Sequence, residues 1–463
     1  MTLKKLCFVS LGCDKNLVDS EKMLAILEAR GFTPVSGMEE ADLIVINSCC
    51  FILDAKEQSL DALLEAVRIK TEVKPQLKII LAGCMAQHYR EDVLESLPQV
   101  DAIVGTNSWH EIGRTAQRVM EEGWKGKCLI PLNEPCCPSY SETGRMLTGS
   151  GSYAYLKIAE GCDKRCTYCI IPFFRGPYRS VPMEELVKES RDLAGRGVRE
   201  LLLVAQETTL YGKDLYGKKM LPQLLKELSA IDGIEWIRIL YCYPEEIEDE
   251  LIEAIRSLPK VCHYLDIPIQ HASDHILRRM GRRTNGAEIR ERLKALRNAI
   301  PDIRIRTTLI TGFPGETEKD HRILCDFVKE MQFDRLGCFR YSREAGSRAA
   351  EFSHQISKRE KDRRYDEIMR LQQQVVLEKA RSYIGCSLDV FLDDELTEGA
   401  PESQGTGYLY IGRSYMDLPE VDGHVVIHTN HKRKIGSMEK VRITSFSGYD
   451  LIGAFEDENE SSQ

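Results

Sequence analysis

Three cysteines, Cys162, Cys166 and Cys169, share one short loop in the spacing C-x3-C-x2-C, directly after the apolar run 155–159. Thiolates at this spacing can converge on one metal centre, and three ligands from one loop suit an iron–sulfur cluster with one iron left open. A structural zinc site needs a fourth ligand, and no cysteine or histidine follows within the next dozen residues. The loop therefore predicts a cluster that keeps an open coordination position.

A second set of cysteines is dispersed in sequence but shares a local pattern. Cys13, Cys49 and Cys84 each follow a short apolar run and then the pair Leu-Gly, Asn-Ser or Ala-Gly. Because the carboxyl ends of parallel strands lie along one edge of a sheet, these thiols can meet there and hold a second cluster. Cys50 is a rival to Cys49, and we favour Cys49 because it directly follows the Asn-Ser pair.

The elements that must position these cysteines begin with an α/β domain over residues 1–120. Apolar runs at 6–11, 43–46, 79–81 and 102–104 alternate with helical patterns, which predicts a parallel sheet with covering helices. Residues 121–147 are rich in Gly, Pro and Ser and are interpreted as a linker. Cys136 and Cys137 lie in it, and we interpret them as exposed bystander thiols rather than ligands.

Residues 148–380 repeat the strand–helix alternation. Six candidate strands occur at 155–159, 200–205, 236–241, 264–269, 303–310 and 337–341, and a long charged helix follows as a connector. Six such units predict an incomplete (βα)6 TIM-like barrel that is open on one side. Barrels of this type place their chemistry at the carboxyl ends of the strands, and the loop of Cys162 follows the first strand.

The last part of the chain changes character. Five short alternating runs with Gly and Asp turns over residues 382–455 predict a small all-β barrel, followed by an acidic tail at 456–463. Residues 382–463 hold 15 acidic and six basic residues, which accounts for the net charge of −9 of the whole chain. Nucleic-acid binding normally requires a basic surface, so this acidic module favours a basic protein partner.

Bulk composition excludes several protein classes. The 463 residues are 43% hydrophobic and 29% charged, as in an ordinary globular protein. No apolar run approaches the roughly 18 residues of a membrane span. The N-terminus lacks a signal-peptide pattern, so the 16 cysteines indicate metal ligation in a reducing compartment rather than secreted disulfides. We therefore expect a cytoplasmic protein without membrane association.

The loop of Cys162 resembles the signature of the radical S-adenosylmethionine enzymes, which implies that the open iron binds the methionine part of that cofactor. Glu207, after the second strand, could then accept hydrogen bonds from the cofactor's ammonium group, or be an ordinary loop carboxylate. Gly312 and Gly315 would let the backbone approach the adenosine, or simply form a strand-to-helix turn. Arg306 lies within the fifth strand with its direction unresolved, and Tyr168 would pack on the adenine side.

Both cysteine sets, in this order and before a small β-barrel, resemble the methylthiotransferase family of radical S-adenosylmethionine enzymes over essentially the whole chain. Residues 10–21, SLGCDKNLVDSE, are similar to the branch that modifies a ribosomal protein, which commonly has proline at the position of Asp14. The tRNA-modifying branch usually has Gln and Met after this cysteine. Cys50 departs from the family, which usually has glycine there.

The resemblance implies two 4Fe–4S clusters, an auxiliary one in the N-terminal domain and a radical-generating one in the central domain, and a C-terminal TRAM domain that docks the substrate. The implied reaction adds a methylthio group to the β-carbon of an aspartate in small-subunit ribosomal protein number twelve. One S-adenosylmethionine is the methyl donor and another is the radical source.

The implied partners are this basic ribosomal protein, bound through the acidic TRAM domain, and an electron donor such as a flavodoxin or ferredoxin. We expect a monomer. Two alternatives stay open: a tRNA adenosine methylthiotransferase with the same chemistry, and a non-catalytic cluster-bearing factor that binds the ribosome.

Overall fold

The structure, a computed structural model, describes residues 4–121, 128–129, 144–149, 151–396 and 407–459. These residues form two parallel α/β sheets followed by a closed β-barrel. Cys136, Cys137 and the last four residues of the predicted acidic tail lie outside the described residues. Within the described part, no helix is both long and apolar enough to cross a membrane.

The first sheet has the order β2-β1-β3-β4-β5-β6 with every pair parallel. Its strands are β1 (Lys4–Ser10), β2 (Phe32–Pro34), β3 (Leu43–Ser48), β4 (Lys78–Ala82), β5 (Ala102–Gly105) and β6 (Cys128–Leu129), and its helices are α1 (Asp14–Glu28), α2 (Leu53–Glu72), α3 (Gly83–Ser96) and α4 (Ile112–Val119). Strand β6 lies within the stretch predicted to be a linker and instead pairs with β5.

Strand β3 shows why this sheet is covered on both faces. All six of its residues are buried. Leu43 and Val45 pack into one core with helices α1 and α4, and Ile44 and Ile46 pack into a second core with α2 and α3. A strand covered on both faces needs apolar side chains on both, which explains the unbroken apolar run over its first four residues, 43–46.

The central domain is an open six-stranded parallel sheet of order β14-β13-β12-β11-β10-β7, with a separate two-stranded ladder β8-β9. Its strands are β7 (Tyr153–Lys157), β8 (Ala159–Glu160), β9 (Arg179–Ser180), β10 (Glu200–Val204), β11 (Trp236–Ile239), β12 (Val261–Gln270), β13 (Arg304–Thr311) and β14 (Arg335–Arg340), and its helices are α5 (Ile171–Arg175), α6 (Met183–Gly195), α7 (Lys213–Tyr216), α8 (Leu221–Ser229), α9 (Asp249–Ser257), α10 (Asp274–Arg279), α11 (Gly286–Ala299), α12 (Glu318–Met331) and α13 (Lys358–Ser382). The predicted six-unit incomplete barrel is confirmed.

The third unit is the predicted small barrel, closed in the order β15-β16-β17-β19-β18. Its elements are β15 (Ser387–Leu396), β16 (Tyr408–Ser414), β17 (Val425–Thr429), β18 (Met438–Ser447), β19 (Asp450–Phe455) and α14 (Glu456–Asn459). The short helix α14 occupies the first half of the predicted acidic tail.

The small barrel packs against the amino-terminal ends of the central strands. Glu200, the first residue of β10, is fully buried and accepts hydrogen bonds from Arg238 Nε at 2.8 Å and from Arg413 of β16. The ring of Trp236, which begins β11, meets that of Phe391 with 4.5 Å between centroids. The carboxyl ends of the central sheet, where the cysteine loop lies, are therefore left for the site.

Candidate active site

The first cysteine loop runs from β8 to α5, beyond the carboxyl end of β7. Gly161 precedes it with φ +85°, and a Cβ there would lie 2.0 Å from the carbonyl oxygen of Pro177, so only glycine fits. The Cys162 N–H donates to the carbonyl of Gly176 at 3.1 Å, and the Cys169 N–H donates to that of Cys166 at 3.0 Å. These bonds fold the loop back on itself and hold its cysteines on one short turn.

The three thiols of this loop interact with one another. The pKa of the Cys162 thiol is raised to about 11 and that of Cys169 to about 12, mainly by burial and in part by a neighbouring Cys166 thiolate. Buried thiols are poor free nucleophiles, but a bound metal displaces the thiol proton. Three neighbouring sulfur donors on one loop fit three irons of a 4Fe–4S cluster.

The register of the first sheet brings the other three cysteines together. Ser10 pairs with Asn47 and Asn47 with Ala82, so strands β1, β3 and β4 end at the same level. Cys13, Cys49 and Cys84 follow those three residues by three, two and two positions. The pKa of the Cys84 thiol is raised to about 12, mainly by burial and in part by thiolates of Cys13 and Cys49, against the attraction of Arg175.

Asn16 ties the loops of this second site to each other. Its side-chain amide donates to the carbonyls of Leu11 at 3.0 Å and Ser48 at 3.1 Å, in the loops that carry Cys13 and Cys49. Its Oδ1 accepts a hydrogen bond from Arg175 and lies 3.9 Å from the Cys84 Sγ. One buried amide thus contacts the surroundings of all three cysteines.

Cys49 and Cys50 have different surroundings. Gly12, next to Cys13, approaches Cys49 so closely that a Cβ at Gly12 would lie 3.1 Å from the Cys49 sulfur. Cys50 is 1% exposed and packs in the same apolar cluster as Cys84. The close approach to Gly12 favours Cys49 as the partner of Cys13, and its role as a ligand stays a prediction.

A buried ionic network joins the two cysteine sites across the domain boundary. Arg175, the last residue of α5, donates to Glu160 at 2.9 Å and to Asp19 of α1 at 3.1 Å, and its Nη2 lies 3.5 Å from the Cys84 Sγ. Lys157 of β7 pairs with the same two carboxylates. Burial opposes the charge on Arg175, but Glu160, Cys84 and Asp19 outweigh it and raise its pKa.

Glu207 lies beside the first cysteine loop, as the sequence predicts. Its side chain is fully buried, and its Oε1 accepts a hydrogen bond from Thr209 at 2.9 Å. Its Oε2 has no hydrogen-bond partner among the described residues, and the Lys164 Nζ lies 3.5 Å away. Burial raises the pKa of this carboxyl to about 7, against the attraction of Lys164. An open carboxylate oxygen beside Cys162 fits the ammonium group of S-adenosylmethionine.

Known proteins match all three domains in this order. Residues 5–105 match the uncharacterized protein family UPF0004, 156–328 the radical SAM superfamily and 384–455 the TRAM domain. The "Ribosomal protein uS12 methylthiotransferase RimO" of Lachnoclostridium phytofermentans is 52% identical, with 98% of this chain and 100% of that protein covered. The relative of the same name from Acetivibrio thermocellus is 46% identical, with 99% and 100% covered. The chain belongs to the RimO family.

Solved structures share the fold at low identity. The radical S-adenosylmethionine methyltransferase TsrM from Kitasatospora setae matches with a TM-score of 0.54 at 13% identity, with 73% of this chain and 75% of that chain covered. The cobalamin-dependent S-adenosylmethionine radical enzyme OxsB matches with a TM-score of 0.51 at 13% identity, with 81% and 56% covered. Membership of the RimO family makes the chain a radical SAM methylthiotransferase, with 4Fe–4S clusters and S-adenosylmethionine as cofactors.

The structure brings Tyr168 to the turn after β13. Tyr168 and Phe313 pack in one apolar cluster, so the cysteine loop and the glycine-bearing turn are neighbours. Packing within the protein already explains why glycine stands at both positions. A Cβ at Gly312 would lie 2.3 Å from Lys361, and one at Gly315 would lie 2.9 Å from Arg279. A contact of either glycine with adenosine stays a prediction.

Arg306 contacts other parts of the protein. It donates to Asp266 on the neighbouring strand at 2.8 Å, and its Nε lies 3.7 Å from Asp422 of the C-terminal barrel. These contacts resolve the direction that the sequence left open: the Arg306 side chain points towards Asp266 and towards Asp422 of the C-terminal barrel. A direct role with the cofactor stays a prediction for Arg306.

Sequence reasoning missed Asn16, Arg175 and Lys164 as site residues. Asn16 and Arg175 contact each other and Cys84, and these contacts join residues that are 68 to 159 positions apart in the sequence. Their positions could have indicated a role at the site for two of these residues: Lys164 lies inside the cysteine loop, and Arg175 ends the helix that follows this loop. Buried charge at a site of this kind is informative because it must be paired.

One further group of metal-type side chains lies away from both sites. The potential ligand atoms of three residues on α12 and α13, a ring nitrogen, a thiol sulfur and a carboxylate oxygen, all lie within 4.8 Å of one another: those of His321, Cys325 and Glu367. The His321 Nε2 is 2.9 Å from Glu367 and 3.4 Å from the Cys325 Sγ. Hydrogen bonds among the three account for their proximity.

Proposed function

We propose that this protein adds a methylthio group to an aspartate of ribosomal protein uS12. The observation that carries the proposal is the meeting of two three-thiol sites at one domain boundary, in a chain 52% identical to a uS12 methylthiotransferase. An auxiliary cluster adjacent to the radical-generating one suits sulfur insertion, since one site can make the substrate carbon reactive and the other can hold sulfur.

The chain's own residues have distinct tasks in this proposal. Cys162, Cys166 and Cys169 hold one cluster, and Cys13, Cys49 and Cys84 hold the other. When bound, the cofactors supply the radical and sulfur chemistry that no acid or base among the side chains can perform on an unactivated C–H bond.

Binding and orientation of S-adenosylmethionine fall to the residues around the first loop. Glu207 accepts hydrogen bonds from its ammonium group through the open Oε2. Lys164 contributes by holding Glu207, Glu245 and Glu246 in place through ion pairs of 3.5, 3.7 and 2.6 Å. Tyr168 packs on the adenine side, next to the turn after β13.

The C-terminal barrel is the proposed docking site for uS12. Part of its acidity is used internally, because four of its acidic residues contact the central domain: Asp393, Asp417, Glu420 and Asp422. Lys432 and Lys434 are exposed on the loop between β17 and β18, so this surface also suits RNA next to the protein substrate. We further propose that the chain acts as a monomer and takes electrons from a flavodoxin or ferredoxin.

The test compares both substrates in one strain. A strain that lacks its own uS12 methylthiotransferase is complemented with this chain or with its Cys162→Ala variant. Mass spectrometry of uS12 should show replacement of one hydrogen by a methylthio group only with the wild-type chain. If uS12 keeps its mass while tRNA hydrolysates gain methylthio-adenosine, the chain is a tRNA enzyme. If neither changes although both clusters are intact, the chain is not a methylthiotransferase under these conditions and the proposal fails.

A further inference from the structure

Arg175 lies between the two cysteine sites and is connected to both. On the side of the first site, the residue after it, Gly176, accepts a hydrogen bond through its carbonyl from the Cys162 N–H at 3.1 Å. The Arg175 guanidinium reaches the second site, with the Nη2 3.5 Å from the Cys84 Sγ and bonded to the Asn16 Oδ1. Any displacement of one site relative to the other must therefore strain or break these bonds.

The guanidinium is also a buried charge next to a proposed cluster ligand. Arg175 is 4% exposed, so water screens its charge weakly. Positive charge and hydrogen bonds to a ligand sulfur both favour the reduced state of an iron–sulfur cluster, because reduction adds negative charge. Asp19 and Glu160 hold the guanidinium in place and partly neutralise it.

We propose that Arg175 is a positioning residue that fixes the second cysteine site against the first and raises the reduction potential of the cluster held by Cys13, Cys49 and Cys84. The proposal rests on the proposed function in one respect, since it requires a cluster at the second site. It adds a link between the two clusters through a residue that ligates neither.

The experiment measures the reduction potential of the second cluster alone. Full-length protein in which Cys162, Cys166 and Cys169 are alanine is reconstituted anaerobically and titrated, with electron paramagnetic resonance as the readout. Arg175→Met should make one-electron reduction roughly tenfold less favourable, which corresponds to a shift of about 59 mV to lower potential. Arg175→Lys keeps a positive charge and should shift the potential less.

Two further variants separate charge from damage to the interface. Asp19→Asn removes an anion from the same network, so it should raise the potential and move it in the opposite direction. Lys22→Met removes another buried cation of α1, paired with Glu189 of α6 at 2.9 Å, and should leave the potential unchanged. If Arg175→Met does not take up the second cluster, the other two variants decide the question. Arg175→Lys should then lower the reduction potential and Asp19→Asn should raise it.

The proposal is overturned if Arg175→Met keeps its iron and the wild-type potential. It is also overturned if Asp19→Asn or Lys22→Met lowers the potential as Arg175→Met does, because loss of domain packing would then explain the shift. Neither outcome depends on which substrate is modified. Failure of the uS12 proposal shows only in the mass of uS12 and leaves these potentials as measured.

Discussion

Replacing Glu207 by glutamine should weaken S-adenosylmethionine binding while leaving both clusters in place. Glutamine keeps the shape of the side chain and its contact with Thr209, which donates to the Oε1 at 2.9 Å. It removes the negative charge at the Oε2, the oxygen that has no hydrogen-bond partner in the described part of the protein. The change removes the ammonium–carboxylate bond and the ion pair with Lys164 at 3.5 Å, so a control must remove another ion pair of Lys164 alone.

The size of the effect follows from burial. A hydrogen bond to a charged group contributes about 1.5–3 kcal/mol, and every 1.4 kcal/mol is about tenfold in a dissociation constant. Glu207 is fully buried, so solvent does not screen the bond. We expect the dissociation constant of S-adenosylmethionine to rise roughly 10- to 150-fold.

Binding should also depend on pH through the same carboxyl. Burial raises the pKa of Glu207 to about 7, so only the ionised fraction is ready to accept the ammonium group. The affinity of the wild-type protein should rise with pH up to about 7 and fall about tenfold for each unit below it. The glutamine variant cannot ionise and should lack this dependence.

Equilibrium dialysis of S-adenosylmethionine against reconstituted protein from pH 6 to 8 measures both effects. Glu245→Gln is the matched control, because Glu245 is a neighbouring carboxylate that also pairs with Lys164, at 3.7 Å. Iron content confirms that the clusters are retained. An unchanged dissociation constant for Glu207→Gln, or the same pH dependence in wild type and variant, would refute the assigned role of Glu207.

Three other predictions test the supporting structure. Glu200→Gln removes the counter-charge of buried Arg238 and one of the two carboxylates that pair with buried Arg413, which keeps Asp393 at 2.8 Å, and should cost about 3–5 kcal/mol of unfolding free energy. Glu235→Gln, at a partly exposed ion pair, should cost less than about 1 kcal/mol. Equal denaturation midpoints would contradict the interface described. Gly161→Ala should lose the cluster of the first loop but keep the second, because the added Cβ would lie 2.0 Å from a carbonyl oxygen; full iron content would show that the loop tolerates it. Cys49→Ala should lose the second cluster while Cys50→Ala keeps it, as measured by iron per chain, and the reverse result would exchange the two ligands.

Continuous apolar runs predicted four strands of the first sheet, β1, β3, β4 and β5, but not the short strands β2 and β6 at its edges. The strand ends that carry Cys13, Cys49 and Cys84 were located because each run stops at a small or polar pair, and strand register then aligns them. The second site could therefore be inferred from local patterns plus one geometric rule. The six central strands were found for the same reason.

Long-range pairing explains what the sequence could not show. Helix α1 begins at Asp14, directly after Cys13, and its charged first turn is held by tertiary contacts. The Lys15 Nζ lies 3.4 Å from the ring centroid of Tyr241 and pairs with Asp14 at 2.8 Å. Lys15 and Tyr241 are more than two hundred positions apart in the sequence, and no local sequence pattern predicts such a contact.

Binding of a basic partner through the acidic C-terminal module stays a prediction, and the structure shows that part of this acidity is paired within the chain. Charge counting treats every carboxylate as available, yet Asp417 pairs with Arg335 of β14 at 2.6 Å and Asp422 accepts from Tyr264 at 2.8 Å. These groups attach the barrel to the central sheet. The module therefore has fewer unpaired carboxylates than its composition indicates.

Iron and acid-labile sulfide per chain, measured after anaerobic reconstitution, test the central claim of two independent cluster sites most directly. The wild-type protein is compared with two variants, one with Cys13, Cys49 and Cys84 changed to alanine and one with Cys162, Cys166 and Cys169 changed to alanine. Each variant should keep half of the wild-type iron and sulfide, and only the first should still cleave S-adenosylmethionine to 5′-deoxyadenosine. Wild-type iron in either variant, or loss of all iron in both, would contradict the account.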